Sequence, residues 1–540
     1  MEDRLAQVPP VDTFRLSDEA LEFLSKSWKD SYQLEQKKPT EVTREFTTSV
    51  DDQTHKIHAQ PDRYQDKLRK GQQQRALIEI GEGHGPGRGF TVNGQVAKSQ
   101  GRAAQLATGT TNLSLAGKII GTIKIIGRDD PTQAETQRAQ KVLEILQGLI
   151  NLEHENPWVQ LIFYSSPKDD FQWPPSWTEE MKDAVPVKFR ADHVSRPLNS
   201  SQTKAVKQML QQLDDERVTI IQGPPGTGKT TVIASFVQTA IAGGLSGIWL
   251  VAQSNVAVKN IAEKLADFGL TKWKLLVSKE FFEYWHEHLY ARIRANIIIS
   301  EDFATPGLLQ KHLYNCPVIL CTLSMLSSYM FRKNGGFIAA PLRMLVIDEA
   351  SQIEIGDYIP LFTSHTTIRK VCFIGDDKQL PPYGQEDIQD LKSIFEVKHL
   401  KDHAIFLNTQ YRMPPQIGGF ISAAIYDSLL ESNPQHPITN ERMACHFINI
   451  PSEEQPHGTS WKNLGECQTI ICIATMLQAK KKHFRIITPY DAQRSTIEDG
   501  LKAHELDWEN KCFNVDSFQG LSSDTNCDHH TYCSWFIHGR

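Results

Sequence analysis

One octapeptide constrains this chain more than its size or composition does: Gly223-Pro224-Pro225-Gly226-Thr227-Gly228-Lys229-Thr230. It fits the pattern G-x-x-x-x-G-K-[ST]. Val218-Thr219-Ile220-Ile221 before it reads as a short buried strand, and Thr231-Val232-Ile233-Ala234-Ser235-Phe236 after it reads as the start of a helix. Glycines let the backbone wrap a phosphate chain so that several N–H groups point at it, at a helix N-terminus that already favours anions. In that arrangement Gly223, Pro224, Gly226, Thr227, Gly228 and Thr231 line a phosphate chain. Lys229 reaches the β- and γ-phosphates, and the Thr230 hydroxyl sits on Mg²⁺. The competing reading is a glycine turn that matches by chance, which the flanking strand and helix disfavour.

Composition permits packed domains. The chain has 540 residues, 40% hydrophobic and 23% charged, a length that suggests about three or four domains. A formal net charge of −6 argues against a broad basic coat for nucleic acid, though not against a local basic channel. Nine cysteines, scattered and none before Cys316, form no disulfide framework. A reducing compartment, nucleus or cytoplasm, is expected. The start, Met1-Glu2-Asp3-Arg4, is charged with no apolar run after it, so no signal peptide is expected. Apolar stretches fall short of a membrane span, and Lys118 interrupts Ala116–Ile120, so no membrane partner is expected.

Residues 1–75 are polar, with a capped helix expected over Ser17–Lys29, and read as a helical, mobile arm. Residues 76–166 read as an accessory β-rich domain, either a β-barrel or an α+β module. Strands are predicted at Ala76–Ile80, Ile119–Ile126 and Trp158–Tyr164, with helical spacing from Pro131 to Leu152. Gly81–Gly89 reads as a hairpin loop, since no lysine follows its glycines. Residues 167–195, rich in proline with Trp173 and Trp177, read as a linker. From Arg196 strand, loop and helix alternate, which predicts an α/β domain with a mainly parallel sheet. Within it, residues 268–315 read as a helical insertion with its own core.

Three further segments carry chemistry. Met344–Gln352 is an apolar strand ending in paired carboxylates; Asp348 is placed to hold Mg²⁺ and Glu349 to polarise an attacking water. Standing alone, it is equally an exposed acidic turn. Lys370–Pro382 repeats the pattern, and Gln379 can sense a γ-phosphate without adding charge. Leu198–Gln202 precedes the phosphate loop. The Gln202 amide matches the adenine edge, and the same segment suits a plain helix N-cap.

Read in order, these segments are joined by Gln410-Tyr411-Arg412-Met413, Ile487–Gln493 and Val515–Gly520. The set resembles a superfamily 1 helicase of the nonsense-mediated-decay type, over about residues 196–520. The resemblance implies two RecA-like parallel-sheet domains, at 196–405 and 406–520, with ATP between them. It also implies a single strand of RNA or DNA across the top and 5′-to-3′ movement. On the same ground Tyr411 packs on the base, and Gln379 and Arg412 contact the γ-phosphate. Read without its neighbours, Arg412 is a surface arginine in a turn before Pro414. Ser254, Asn255 and Thr322 from the first domain, and Thr488, Pro489 and Tyr490 from the second, are the implied strand contacts; capped helix or strand ends are the alternative.

After Gly520 the pattern departs. The family has a glutamate two residues on, then a buried strand and another arginine, whereas this chain has Leu521-Ser522-Ser523-Asp524 and a divergent tail, 521–540. The expectations are an incomplete second domain lacking its last strand, weak or absent ATP turnover, and ATP binding partly kept. The alternative function is a non-catalytic nucleotide- and nucleic-acid-binding module or a defective helicase fragment. Cys527, His529, His530 and Cys533 match no common zinc spacing. Phosphate contacts serve RNA and DNA alike, and no protein partner is legible.

Overall fold

The computed structural model describes residues 16–518 except 39, 45–46, 52–55, 61–67, 69–74, 83–89, 101–102, 109–117, 129, 151–155, 165–170, 183–186, 439–445, 458–459 and 510, together with 533–536. The expected loop at 83–89, the end of the last motif at 519–520 and Leu521–Asp524, Cys527, His529 and His530 lie outside the described residues. The chain forms two compact units. The first comprises Met1–Gln222, Val232–Val258 and Ala262–Ile405; the second comprises Gly223–Thr231, Lys259–Ile261 and Phe406–Arg540.

In the first unit, helix α1 (Asp18–Lys37) leads into seven strands, β1 (Glu41–Arg44), β2 (Thr47–Asp51), β3 (Lys56–Gln60), β4 (Arg75–Glu82), β5 (Phe90–Gln100), β6 (Ala103–Thr108) and β7 (Lys118–Ile126). They pair antiparallel in the order β1-β7-β4-β5-β6-β3-β2. The two outermost strands are consecutive in the chain. Three peptide steps separate Arg44 from Thr47, at most about 11 Å of extended chain, so the sheet must curl until its edges meet. Alternation directs Ile57, Ala59, Ala76, Ile78, Val92, Leu106 and Ile123 into one core, one face in and one face out. The sequence reading places a β-barrel or an α+β module at 76–166, whereas the strands of this sheet run from 41 to 126. Residues 41–60, expected in a helical arm, supply three of its strands.

Helix α2 (Gln133–Leu146) returns the chain beside α1. Thr132 and Glu135 close a capping box at its start. Its Arg138 is buried and donates to Glu354, to Asp357 Oδ1 at 3.0 Å and to the Ser27 carbonyl oxygen at 3.1 Å. Gly356 makes room for this guanidinium, since a Cβ there would lie 2.1 Å from Arg138 Nη2.

Trp158–Tyr164, expected as a strand, is instead helix α3 (Pro157–Phe163). The Asn156 side chain caps it and Pro157 fills its first turn, a start signal that outweighs the apolar run. Within the expected linker, Trp173 and Trp177 are packed. Trp173 and Trp177 lie 4.8 and 6.1 Å from Trp158, ring to ring, and the Arg369 guanidinium sits 4.3 Å over Trp177.

The α/β core is an eight-stranded sheet of β8 (Val218–Gln222), β9 (Ile248–Ala252), β10 (Trp273–Val277), β11 (Ile297–Ile299), β12 (Val318–Thr322), β13 (Met344–Asp348), β14 (Lys370–Gly375) and β15 (Ile405–Phe406). The order is β11-β10-β12-β9-β13-β14-β8-β15, parallel from β11 to β8. Every residue of β9, β12, β13 and β14 is buried. Near-continuous apolar runs of this kind mark strands covered on both faces. Residues 268–315 are not a separate helical insertion: Trp273–Val277 and Ile297–Ile299 extend this sheet.

The second unit carries β16 (Thr409–Gln410) paired with β17 (Glu431–Ser432), and a hairpin of β18 (Gln455–His457) and β19 (Ser460–Lys462). Its main sheet has β20 (Phe484–Thr488) between β21 (Cys512–Asn514) and β22 (Cys533–Phe536), all parallel. The tail was expected to offer no strand; Cys533–Phe536 nonetheless pairs along β20, from Phe484 opposite Cys533 to Ile487 opposite Phe536. Ile470, Ala474 and Leu477 pack with Phe484, Ile486, Ile497 and Leu501 in the core of this unit. Among the described residues no helix is long and apolar enough to cross a membrane.

Candidate functional site

Parallel strands deliver their C-terminal tips to one edge, and in such sheets ligands bind outside that edge. Along it stand Gln222 at the end of β8, Gly375 at the end of β14 and Asp348 at the end of β13, with β14 between the other two. Farther on, Ala252 of β9 is paired with both Asp348 and Thr322. The phosphate loop leaves directly from Gln222, and the acidic pair leaves from the same edge.

The loops at these tips are tied together. Asp348, buried, accepts from the Glu349 N–H at 3.0 Å. Glu349 has φ 53°, left-handed for a residue with a side chain, a conformation that costs on the order of 1–3 kcal/mol and gathers at functional sites. Ser351 Oγ accepts from the Asp376 N–H at 3.2 Å. Gly375 allows that approach, since a Cβ there would lie 2.9 Å from the Ser351 nitrogen. Fully buried Asp376 in turn accepts from Gln379 Nε2 at 2.7 Å, so the glutamine is held by its own loop. Gln222 Nε2 donates to Asp377 Oδ1 at 2.6 Å, and Lys401 pairs with the other oxygen. Ser351, Asp376, Gln222 and Asp377 thus set this edge, although the chemistry assigned from sequence passed over Gln222, Asp376 and Asp377. The signal for them was a polar residue at a buried strand's end.

In the second unit, the phosphate loop and the Gln410–Met413 turn meet. The Tyr411 N–H donates to the Gly226 carbonyl at 2.9 Å. Gly226 has φ +78°, and a Cβ on it would lie 2.6 Å from Arg412 Cβ, so only glycine fits. Buried Gln410 accepts from the Arg412 and Met413 N–H groups at 2.9 and 2.7 Å and donates to Ser432 Oγ at 2.9 Å. His436 Nε2 lies 3.2 Å from the Arg412 carbonyl oxygen. Tyr411 is 43% exposed. Within the phosphate loop, the Lys229 ammonium donates to the Gly223 carbonyl at 3.0 Å and Thr227 Oγ1 to that of Pro224 at 2.8 Å. Helix α5 (Lys229–Ala242) begins here, with Thr230 and Thr231 in its first turn.

The phosphate loop's own donor set fits a polyphosphate. A glycine turn with positive φ at Gly226 and Gly228 runs into a helix start, with an ammonium and a hydroxyl at its first two positions. In the first unit, the Asp348 carboxylate at the tip of β13 is of the hard-oxygen type that divalent cations take. Burial pushes the Cys372 thiol up to about 12 and that of Cys321 still higher, so these cysteines are packing groups.

The remaining site residues occupy helix and strand ends. Gln202, buried in helix α4 (Ser200–Leu210), completes a capping box: Asn199 Oδ1 accepts its N–H at 2.8 Å and its amide oxygen accepts the Asn199 N–H at 3.1 Å. The cap reading of that segment is therefore realised. Ser254 caps helix α6 (Asn255–Asp267) by accepting from the Ala257 N–H at 3.1 Å. Thr322 Oγ1 lies 3.2 Å from Ser324 Oγ. In the second unit, Thr488, Pro489 and Tyr490 border a cleft with Trp461, Asn463 and Gln493.

Two family models, each described as an AAA domain, match residues 197–402 and 391–525. The chain is 28% identical over 370 residues to the putative ATP-dependent RNA helicase ECM32 of Saccharomyces cerevisiae, covering 58% of this chain and 31% of that protein. It is 28% identical over 416 residues to the ATP-dependent helicase upf1 of Schizosaccharomyces pombe, covering 65% and 42%. Against the DNA replication ATP-dependent helicase/nuclease DNA2 of Gallus gallus, identity is 27% over 363 residues, covering 64% and 34%. The chain thus spans 31–42% of the length of these relatives.

Proposed function

The chain belongs to the superfamily 1 helicases of the nonsense-mediated-decay type, and from that premise we propose that it is an ATP-dependent motor on single-stranded RNA or DNA. One observation carries the proposal: the phosphate loop and the Asp348–Glu349 pair issue from the same edge of one parallel sheet, with the Gln379 loop between them. When bound, ATP would supply the phosphoanhydride, and Mg²⁺ would supply positive charge against the phosphates. Lys229 and the loop N–H groups hold the phosphates; Thr230 and Asp348 hold the metal. Glu349 takes a proton from the attacking water. Gln379, positioned by Asp376, orients on the terminal phosphate, and Arg412 places a fixed positive charge against it. Ser254, Asn255, Thr322, Thr488, Pro489 and Tyr490 grip the strand through its phosphates and sugars, and movement runs 5′ to 3′. The nucleus or cytoplasm is the proposed location.

The test separates binding from turnover. Lys229→Ala should weaken ATP binding at least about tenfold, the loss of a charged contact. Glu349→Gln should keep ATP binding and lower turnover about 10²- to 10⁴-fold. Turnover is measured with poly-RNA and with single-stranded DNA. Unchanged ATP affinity in Lys229→Ala, or unchanged stimulated turnover in Glu349→Gln, refutes the motor reading. Overhang substrates of either polarity test direction.

A further inference from the structure

Trp461 has no part in the chemistry above, yet its place in the second unit is built. It lies on β19, 42% exposed, and borders the cleft that Thr488, Pro489 and Tyr490 line. The hairpin that carries it is stapled to the segment just after those three residues. Ser460 Oγ accepts from the Ala492 N–H at 3.2 Å, and the Asn463 N–H donates to Gln493 Oε1 at 2.7 Å. Gln493 is itself buried, and its Nε2 donates to the Asn463 carbonyl and to Glu466 Oε2, both at 3.2 Å. Glu466 is thereby turned inward. Asn463 also caps helix α7 (Leu464–Ala479) through the Glu466 N–H. A residue between two such anchors, Ser460 and Asn463, has a fixed backbone. An indole held open on a fixed backbone, beside a proline and a phenol at the tip of a parallel strand, offers a flat apolar face where a single strand is expected to pass.

We propose that Trp461 is a stacking platform for a nucleobase, next to the Thr488–Tyr490 grip on the second unit. The inference rests on the single-strand reading above. Stacking uses the π-face that every base has, so the contact is indifferent to sequence and serves RNA and DNA alike. It differs in kind from the phosphate contacts of that grip, which a strand without bases would still make.

The experiment is fluorescence anisotropy of the full chain with labelled oligo(U), oligo(dT) and an abasic oligonucleotide of equal length. Trp461→Ala should weaken binding to both base-bearing strands about 5- to 150-fold, the range of one lost base–aromatic stack. Trp461→Phe should stay within about threefold of the wild type. On the abasic strand all three proteins should bind alike, and ATP binding should be unchanged. Equal affinity of wild type and Trp461→Ala for oligo(U) and oligo(dT) overturns the proposal while leaving the motor reading intact. An equal loss on the abasic strand also overturns it, since the indole would then act on the backbone or the fold. If the wild type binds no strand at all, the motor reading falls first and this inference with it.

Discussion

The two parallel sheets solve the same problem by different means. In the first unit, β9, β12, β13 and β14 are buried along their whole length. Their tips are fixed by the sheet itself, so the polar residues there need only short bonds to one another, such as Ser351 to Asp376 and Gln379 to Asp376. In the second unit, β20 exposes one of its five residues and β21 buries only Cys512. There the tip at Thr488 is steadied from outside, by α7, by helix α8 (Asp491–Ala503) and by the stapled hairpin. Burial on both faces fixes a site through the strands, and a thin sheet needs helices and side-chain bonds to do so.

The sharpest way to break this contrast is to disturb a tip of the first sheet from a distance. Arg138→Met removes the guanidinium facing Glu354, which follows the acidic pair in the chain. Burial pushes the Glu354 carboxyl above its ordinary range even with that partner present. Leaving it unpaired should cost about 3–5 kcal/mol, read from the urea midpoint at constant slope. A loss below about 1 kcal/mol would mean that the strands alone hold the loop.

Next in size is a pH effect confined to the first unit. His365 is buried against Phe337, ring centroids 4.4 Å apart. Burial, then Arg332 and Lys141, push its pKa down to about 3. The unfolded chain takes up a proton below about pH 6.5 that the folded chain refuses, so this contribution is complete above pH 6.5 and is lost as pH falls towards 3. At pH 4.5 the loss is about 2–3 kcal/mol. His365→Phe should reduce the stability difference between pH 7 and pH 4.5 by that amount; an identical difference in wild type and variant would exclude the histidine as its source.

The contrast also explains what was legible beforehand. Val218–Thr230, Met344–Gln352 and Lys370–Pro382 could be read directly, because a buried apolar run ending in a fixed polar pattern occurs in few other settings. Trp158–Tyr164 misled, because an apolar run broken only by Gln160 has neither a clear helical nor a clear strand period, and Asn156-Pro157 decides it. Trp273–Val277 hid among aromatic residues with helical spacing, although it is a buried strand of the main sheet. Cys533–Phe536 is a strand by virtue of its partner β20 rather than its own pattern. Arg138 sits in a helix that periodicity identifies, but its partner Glu354 lies 216 residues away, beyond any local signal. The same holds for the bond between Gln222 and Asp377, 155 residues apart.

A third perturbation tests the helices that steady the second sheet. Gly500 of α8 lies against α7, and a Cβ on it would come 2.4 Å from Ile471 Cδ1. Gly500→Leu, too large to be cleared by turning the Ile471 terminal methyl, should force the helices apart at a cost of about 1–3 kcal/mol, after the helix-propensity gain is offset. Hydrogen exchange should show lost protection in β20, α7 and α8 and none in β13 or β14. Loss spread equally over both sheets would remove the distinction between them.

The smallest effect probes how far that support extends to the surface. At the end of α8, the Lys502 ammonium sits 4.1 Å from the centroid of the Trp508 ring, a contact worth about 0.5–1 kcal/mol when exposed. Lys502→Ala should lower stability by that amount, with faster exchange confined to the last turn of α8 and the segment reaching β21. Its effect should persist at high salt, because the ammonium faces a ring quadrupole beside an indole rather than a fully solvated anion. If Lys502→Ala instead loosens Thr488 and Tyr490, the thin sheet draws its rigidity from its outermost contact, and the staple at Gln493 is not what fixes the tip.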